Sequence, residues 1–124
     1  DWYWGMADCY ERSGRLKEAI QSYRQSDRYP SVYFAMASCH RRLKQYKEAL
    51  VLYHQARADK GSAPEATKQI AETYEQSGAR ENAIKWFQQT CKLYPKTSQA
   101  SRAHAHLQSK YKISVTLGGA NEKK

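Results

Sequence analysis

Small, aliphatic and aromatic residues return along this chain at helical intervals. Tyr3, Met6, Ala7 and Tyr10 stand at i, i+3, i+4 and i+7, the stripe of an amphipathic helix. Ser13-Gly14 ends it, because glycine readily takes the left-handed conformation found past helix ends. Leu16, Ala19, Ile20 and Tyr23 form a second stripe, whose helix should run to about Asp27 before Tyr29-Pro30 breaks the chain. The scheme then returns with Tyr33, Met36, Ala37 and His40, followed by Tyr46, Ala49, Leu50, Tyr53 and Ala56. A third pair carries Thr67, Ile70, Ala71 and Tyr74, then Ala83, Ile84, Phe87 and Leu93, ending at Tyr94-Pro95. Ser62-Ala63-Pro64-Glu65 has the pattern of a capping box at the start of that pair. A last stripe, Ala100, Ala103, Leu107 and Tyr111, predicts one helix over 97–112. The pattern is that of an all-α chain.

These stripes are copies of one another. The segment from Gly14 to Tyr23 returns from Lys44 to Tyr53 and again from Gly78 to Phe87. Each copy has a turn-like opening, an Ala, an aliphatic residue, and an aromatic four positions after the Ala. Ala19 and Ala49 are 30 residues apart, and Ala49 and Ala83 are 34 apart. Periods in this range mark stacked units, each unable to bury its apolar face alone. The short first period predicts an abbreviated second helix or following turn.

Two antiparallel helices in about 34 residues with this small–aromatic spacing resemble the tetratricopeptide repeat (TPR) family. The matching residues are Ala7, Ala37 and Ala71 in the first helices, each followed by Tyr10, His40 or Tyr74. In the second helices they are Ala19, Ala49 and Ala83, with Tyr23, Tyr53 and Phe87. Pro30, Pro64 and Pro95 punctuate the ends. The chain departs from the family where it prefers Trp, having Tyr3, Tyr33 and Thr67 there, and His40 stands in for a Tyr as a core or half-buried histidine. The resemblance implies an α-solenoid domain over 1–113: repeats at about 1–29, 30–62 and 63–95, and a capping helix at about 97–112. Residues 114–124 are expected to be a flexible tail, the alternative being a strand that docks on another protein. The run from Leu93 to Ala103 also loosely resembles bacterial cell-envelope TPR proteins of the Tol–Pal coordinator type.

The resemblance also implies a binding face, since first helices line the concave groove of such a stack. One position on from the packed stripe come Trp4, Asp8, Glu11 and Arg12, then Phe34, Ala35, Ser38, Arg41 and Arg42. In the third repeat the register gives Lys68, Gln69, Glu72, Glu75 and Gln76. Trp4 and Phe34 are the candidate anchors, since Trp and Arg dominate binding hot spots; the alternative for Trp4 is packing against a repeat outside this sequence. Family members that clamp acidic C-termini use Lys and Asn at set positions, where this chain has Trp4, Asp8, Ser38 and Glu72, with only Lys68 and Gln69 suited. That clamp is not expected.

Composition narrows the classes. With 21 Lys+Arg against 12 Asp+Glu the net charge is +9, which suits an acidic partner or nucleic acid, or a solvated basic surface. No apolar run is long enough to span a membrane, so no membrane insertion is expected. The chain opens on Asp1-Trp2-Tyr3-Trp4, already inside an apolar pattern, and is expected to be a piece of a longer protein. Compartment is left open between the cytoplasm and the bacterial envelope. Three cysteines without a CxxC signal neither a disulfide framework nor a zinc knuckle. Cys9 and Cys39 hold equivalent repeat positions, which predicts two small buried side chains.

Catalytic signatures are missing: no Gly-rich phosphate loop, HExxH or GxSxG occurs. His104 and His106 point to different sides of a helix, and Glu72 with Glu75 reads as a solvated acidic pair. A non-enzymatic scaffold without cofactor or metal follows, binding a protein or peptide, or a second copy, in the groove. The rival reading is RNA or single-stranded nucleic acid held by basic and aromatic surface. A structural spacer is the third.

Overall fold

The computed structural model describes residues 1–113; the expected tail, 114–124, lies outside the described residues. Those residues form helices α1 (Trp2–Arg12), α2 (Leu16–Gln25), α3 (Ser31–Arg42), α4 (Tyr46–Ala56), α5 (Ala63–Ser77), α6 (Arg80–Leu93) and α7 (Ser98–His106). A π-helical turn, Leu107–Tyr111, follows α7. No strand occurs among the described residues. The chain divides into two compact units, residues 1–56 and the remainder from Arg57.

In the first unit α2 packs against both α1 and α3, and α3 packs against α4. Its core joins Ala7, Ala19, Ile20 and Tyr23 to Val32, Met36 and Cys39. Ala7 and Ala19 are fully buried, so backbones approach closely there, and the larger side chains fill the space on either side. Ile20 and Met36 each contribute about 1.5–3 kcal/mol through this burial. Asp1 caps α1, its Oδ1 accepting from the Trp4 amide at 2.7 Å. The hairpin turns need a left-handed residue: Gly14 (φ 84°) after α1, and Lys44 (φ 63°) after α3.

Two expectations in this unit are corrected. Helix α2 stops at Gln25, because Ser26 turns extended (ψ 152°) and its hydroxyl donates to Asp1 Oδ2 at 2.8 Å. Helix α2, with 10 residues, is only one shorter than α4, with 11, so the short first period is met mainly in the next first helix, 12 residues in α3 where α5 has 15. Cys39 is buried but Cys9 is exposed, since α2 covers a different side of α1 and leaves the Cys9 side open.

In the second unit α5 packs on α6, and α7 packs against both. Ala71, Ala83, Phe87, Cys91, Ala103, Leu107 and Tyr111 share its core. The predicted last stripe is therefore buried at all four positions, although its helix is not uniform: the last turn widens to π geometry after His106. That turn closes at Lys112 (φ 60°), with the Ile113 amide donating to Leu107 O at 3.0 Å. Buried Thr67, Thr73 and Thr90 each donate to the carbonyl four residues back, at 2.8, 2.7 and 2.9 Å, which satisfies hydroxyls inside apolar packing. The capping box does not form. Ser62 has helical angles (φ −97°, ψ −10°) that turn its hydroxyl away from the first amides, and Glu65 is bound elsewhere.

Candidate functional site

The first-helix face of the first unit repeats one arrangement twice. Trp4 sits half-buried, edge-on to Tyr23 with ring centroids 5.1 Å apart. Thirty residues on, Phe34 takes the same place over Tyr53 at 5.9 Å. Both tyrosine hydroxyls reach back to the first helix of their own pair. Tyr23 Oη donates to Glu11 Oε1 at 2.6 Å, and Arg41 Nη1 donates to Tyr53 Oη at 3.4 Å. Burial first, and the Glu11 carboxylate second, push the Tyr23 phenol above its ordinary range, so it stays a donor at neutral pH. Each anchor aromatic therefore has a fixed seat.

Charges surround these seats. The Arg28 guanidinium lies 5.2 Å from the Trp4 ring centre, a cation–π contact. Arg42 Nη1 stands 3.5 Å from Glu11 Oε2 and ties α3 to α1, while Arg12 pairs with Asp8 at 3.1 Å on the open surface. Such exposed pairs contribute at most about 1 kcal/mol and are readily exchanged for a ligand's charges. Ser38 is half-buried between these groups in sequence register. The structure thus gathers Trp4, Phe34, Arg41 and Arg42 around Tyr23, Tyr53 and Glu11, and leaves Asp8 and Arg12 outside as a pair. The tyrosine seats and Arg28 escape a reading by groove register alone; the signal for the seats is Tyr in place of Phe at the second-helix aromatic position.

In the second unit the same register is occupied differently. The Lys68 side chain is only 8% exposed, with Nζ 3.0 Å from Glu72 Oε2 and 3.7 Å from Glu65 Oε2. Gln69 and Gln99 donate to the two oxygens of Glu65 at 2.7 and 3.1 Å. Burial raises the Glu65 carboxyl, but the Gln69, Gln99 and Lys68 contacts outweigh it and hold the group below its usual range. Lys68, Gln69 and Glu72 are thus engaged along α5 itself.

Glu75 is not the solvated partner of Glu72 that its spacing suggests. Its Oε2 accepts from Tyr111 Oη at 2.5 Å and lies 2.8 Å from His106 Nε2 and 3.1 Å from Lys110 Nζ. Desolvation opposes ionisation, yet these donors prevail and lower its pKa. Burial and the same hydrogen bond push the Tyr111 phenol up to about 12. His40 is half-buried as expected, with Nδ1 2.7 Å from Gln45 Oε1. Among the described residues no three His, Cys, Asp or Glu side chains converge to hold a metal, and no helix is long and apolar enough to cross a membrane.

Helical pairs with this Ala–aromatic packing find a match beyond the chain: a family model of the tetratricopeptide repeat covers residues 34–97, and a second covers residues 3–29. The chain belongs to the tetratricopeptide repeat family. Its fold class is accordingly the all-α helical-repeat solenoid, and TPR repeats serve generally as protein–protein interaction modules, typically without catalysis. No curated protein matches the chain.

Proposed function

We propose that this TPR chain is a non-catalytic scaffold whose first-helix face on α1 and α3 binds a peptide segment of mixed charge, extended or helical. The observation that supports this most is the doubled seat: Trp4 on Tyr23 and Phe34 on Tyr53, each half-open and bordered by arginine. Preorganised aromatic anchors reduce the ordering cost of binding. Apolar side chains of the ligand meet Trp4 and Phe34; its carboxylates meet Arg42, Arg41 and Arg12; its basic groups meet Asp8; and Ser38 offers a hydroxyl. Lys68, Gln69 and Glu72 form a second, internally paired polar surface on α5 that contributes less, because a ligand must first displace their mutual contacts. The Tyr94-Pro95 joint further supports kinship with bacterial envelope TPR proteins.

The test is capture from native extract by the wild-type chain and by Phe34→Ala/Arg42→Glu, each with and without nuclease, with helicity of both checked by circular dichroism. A protein retained through nuclease and lost with the double variant is the expected result, and peptide arrays of that protein then define the bound segment. Capture that vanishes with nuclease and weakens steeply with salt overturns the reading in favour of nucleic acid, where counterion release governs affinity.

A further inference from the structure

The arginines around the two aromatic seats are mostly engaged from within: Arg12 with Asp8, Arg42 with Glu11, and Arg41 with the Tyr53 hydroxyl. Arg28 is the exception. Its guanidinium lies over the Trp4 ring, and among the described residues its side chain enters no ion pair and no hydrogen bond. A ring face attracts a cation but leaves its five N–H donors unused. Arg28 is also exposed, so those donors are open to a ligand.

Backbone contacts fix where this cation stands. Asp1 Oδ1 accepts from the Trp4 amide at 2.7 Å, and Asp1 Oδ2 accepts from the Ser26 hydroxyl at 2.8 Å. The Ser26 oxygen accepts in turn from the Arg28 amide at 3.2 Å, and the Arg28 carbonyl accepts from the Val32 amide at 2.8 Å. Asp1 and the buried Ser26 thus tie the main chains of Trp4 and Arg28 to each other. A guanidinium held this way loses less freedom on meeting an acceptor than an untethered one does. The second seat lacks the device. By the 30-residue period Ser26 and Arg28 become Ala56 and Ala58, which carry no polar side chain.

We propose, building on the groove reading above, that Arg28 determines specificity at the Trp4 seat. It receives the carboxylate of an aspartate or glutamate beside the apolar residue that packs on Trp4. A carboxylate fits because its two oxygens match two parallel N–H groups of one guanidinium. Arg12 and Arg42 must first give up Asp8 and Glu11, whereas Arg28 has no partner to lose. A phosphate fits less well, since its second negative charge is repelled by the Asp1 carboxylate held in the same network. With the acid read at one seat only, the bound segment takes one register: the acid–apolar pair at Trp4 and a second apolar side chain at Phe34.

The probes are dipeptides blocked at both ends: Leu–Glu, Leu–Gln and Leu–phosphoserine. Each is titrated into the isotope-labelled full chain while the arginine Nε–H resonances are followed by NMR, with Arg28→Lys assigning that of Arg28. The Arg28 signal should move at lower Leu–Glu concentration than those of Arg12 and Arg42. Leu–Glu should bind about fivefold more tightly than Leu–Gln, the scale of one exposed ion pair. Arg28→Met keeps an apolar stem on Trp4 and should bring that ratio to about one. Arg28 is exposed, so this variant keeps its fold. A ratio unchanged in Arg28→Met overturns the proposal, as does a Leu–Glu titration that moves Arg12 or Arg42 first or moves no arginine at all. Leu–phosphoserine binding more tightly than Leu–Glu overturns it in favour of a phosphate. The groove reading fails separately. Capture from extract that Phe34→Ala/Arg42→Glu leaves intact sinks that reading without touching the Arg28 ratio, whereas capture lost in that variant with a ratio indifferent to Arg28 sinks only the role of Arg28.

Discussion

The two units solve one problem by different means. In the first, the second-helix aromatic is tyrosine, and its hydroxyl meets a charged side chain on its partner helix: Tyr23 with Glu11, Tyr53 with Arg41. In the second, that position is Phe87, which is 2% exposed and has no hydroxyl to offer. Glu75, which stands where Glu11 and Arg41 stand, takes its phenol from Tyr111 instead. His106 and Lys110 add two further donors from the same terminal turn. A first-helix carboxylate bonded within its own pair tethers two helices, whereas Glu75 tethers the chain's last described turn to α5. The repeat specifies the apolar half of each layer and leaves the polar closure to whichever side chain reaches it.

The contrast is broken most severely at the carboxylates. Glu75→Ala leaves Tyr111, His106 and Lys110 without their shared acceptor and should cost about 1–3 kcal/mol in denaturant unfolding. Glu11→Ala removes one phenol partner and one half-exposed ion pair, and should cost about 1 kcal/mol. Equal losses would dissolve the distinction between the units. The pH dependence has a definite sign. The folded pKa of Glu75 is lowered from 4.5, so its stabilisation is present above that unfolded value and is lost as pH falls through the folded one. Acid unfolding of Glu75→Gln should be correspondingly shallower below about pH 4.5.

The hydroxyls sharpen the comparison at smaller scale. Tyr23→Phe and Tyr111→Phe each delete one hydrogen bond to a carboxylate and should cost about 1 kcal/mol. Tyr111 has companions on Glu75, so its loss should couple non-additively with His106→Ala, whereas Tyr23→Phe and His106→Ala should add. Additivity in both cycles would show that the terminal donors act independently, contrary to a shared centre.

The residues themselves explain which of these features could be read beforehand. Stripe positions such as Ala19, Ala49 and Ala83 are fully buried because packing at a helical period leaves little choice, and local periodicity records it. The last stripe was legible for the same reason down to Tyr111. Glu65 and Glu75 were not legible. Their partners Gln99 and Tyr111 lie 34 and 36 residues away, and only the folded hairpins bring them together. Cys9 misled for a related cause: its repeat position matches that of Cys39, but burial depends on a neighbouring helix, and α2 covers another side of α1. On the candidate face, Trp4 and Phe34 could be placed by register, whereas their seating on tyrosine rings and the arginine above Trp4 required the structure.

The smallest expected effect lies in the hairpin turns. Gly14 and Gly78 take the left-handed conformation at φ 84° and 91°, while the turn between α3 and α4 forces it on Lys44 at φ 63°. A side chain there crowds its own backbone and costs about 1 kcal/mol relative to glycine. Lys44→Gly relieves that crowding, but it also frees the unfolded chain, which takes back about 0.5 kcal/mol. The net expectation is a gain of about 0.5 kcal/mol, read as a higher denaturant midpoint at unchanged slope. Gly14→Lys should give a loss of similar size, since a Cβ at Gly14 meets nothing within 4 Å and only the backbone angle is strained. If Lys44→Gly instead destabilised the chain, the Lys44 side chain would have to be making a contact worth more than its strain. The α3–α4 turn would then be a specialised joint within the first unit, and its use of lysine where the other two turns use glycine would have a positive cause.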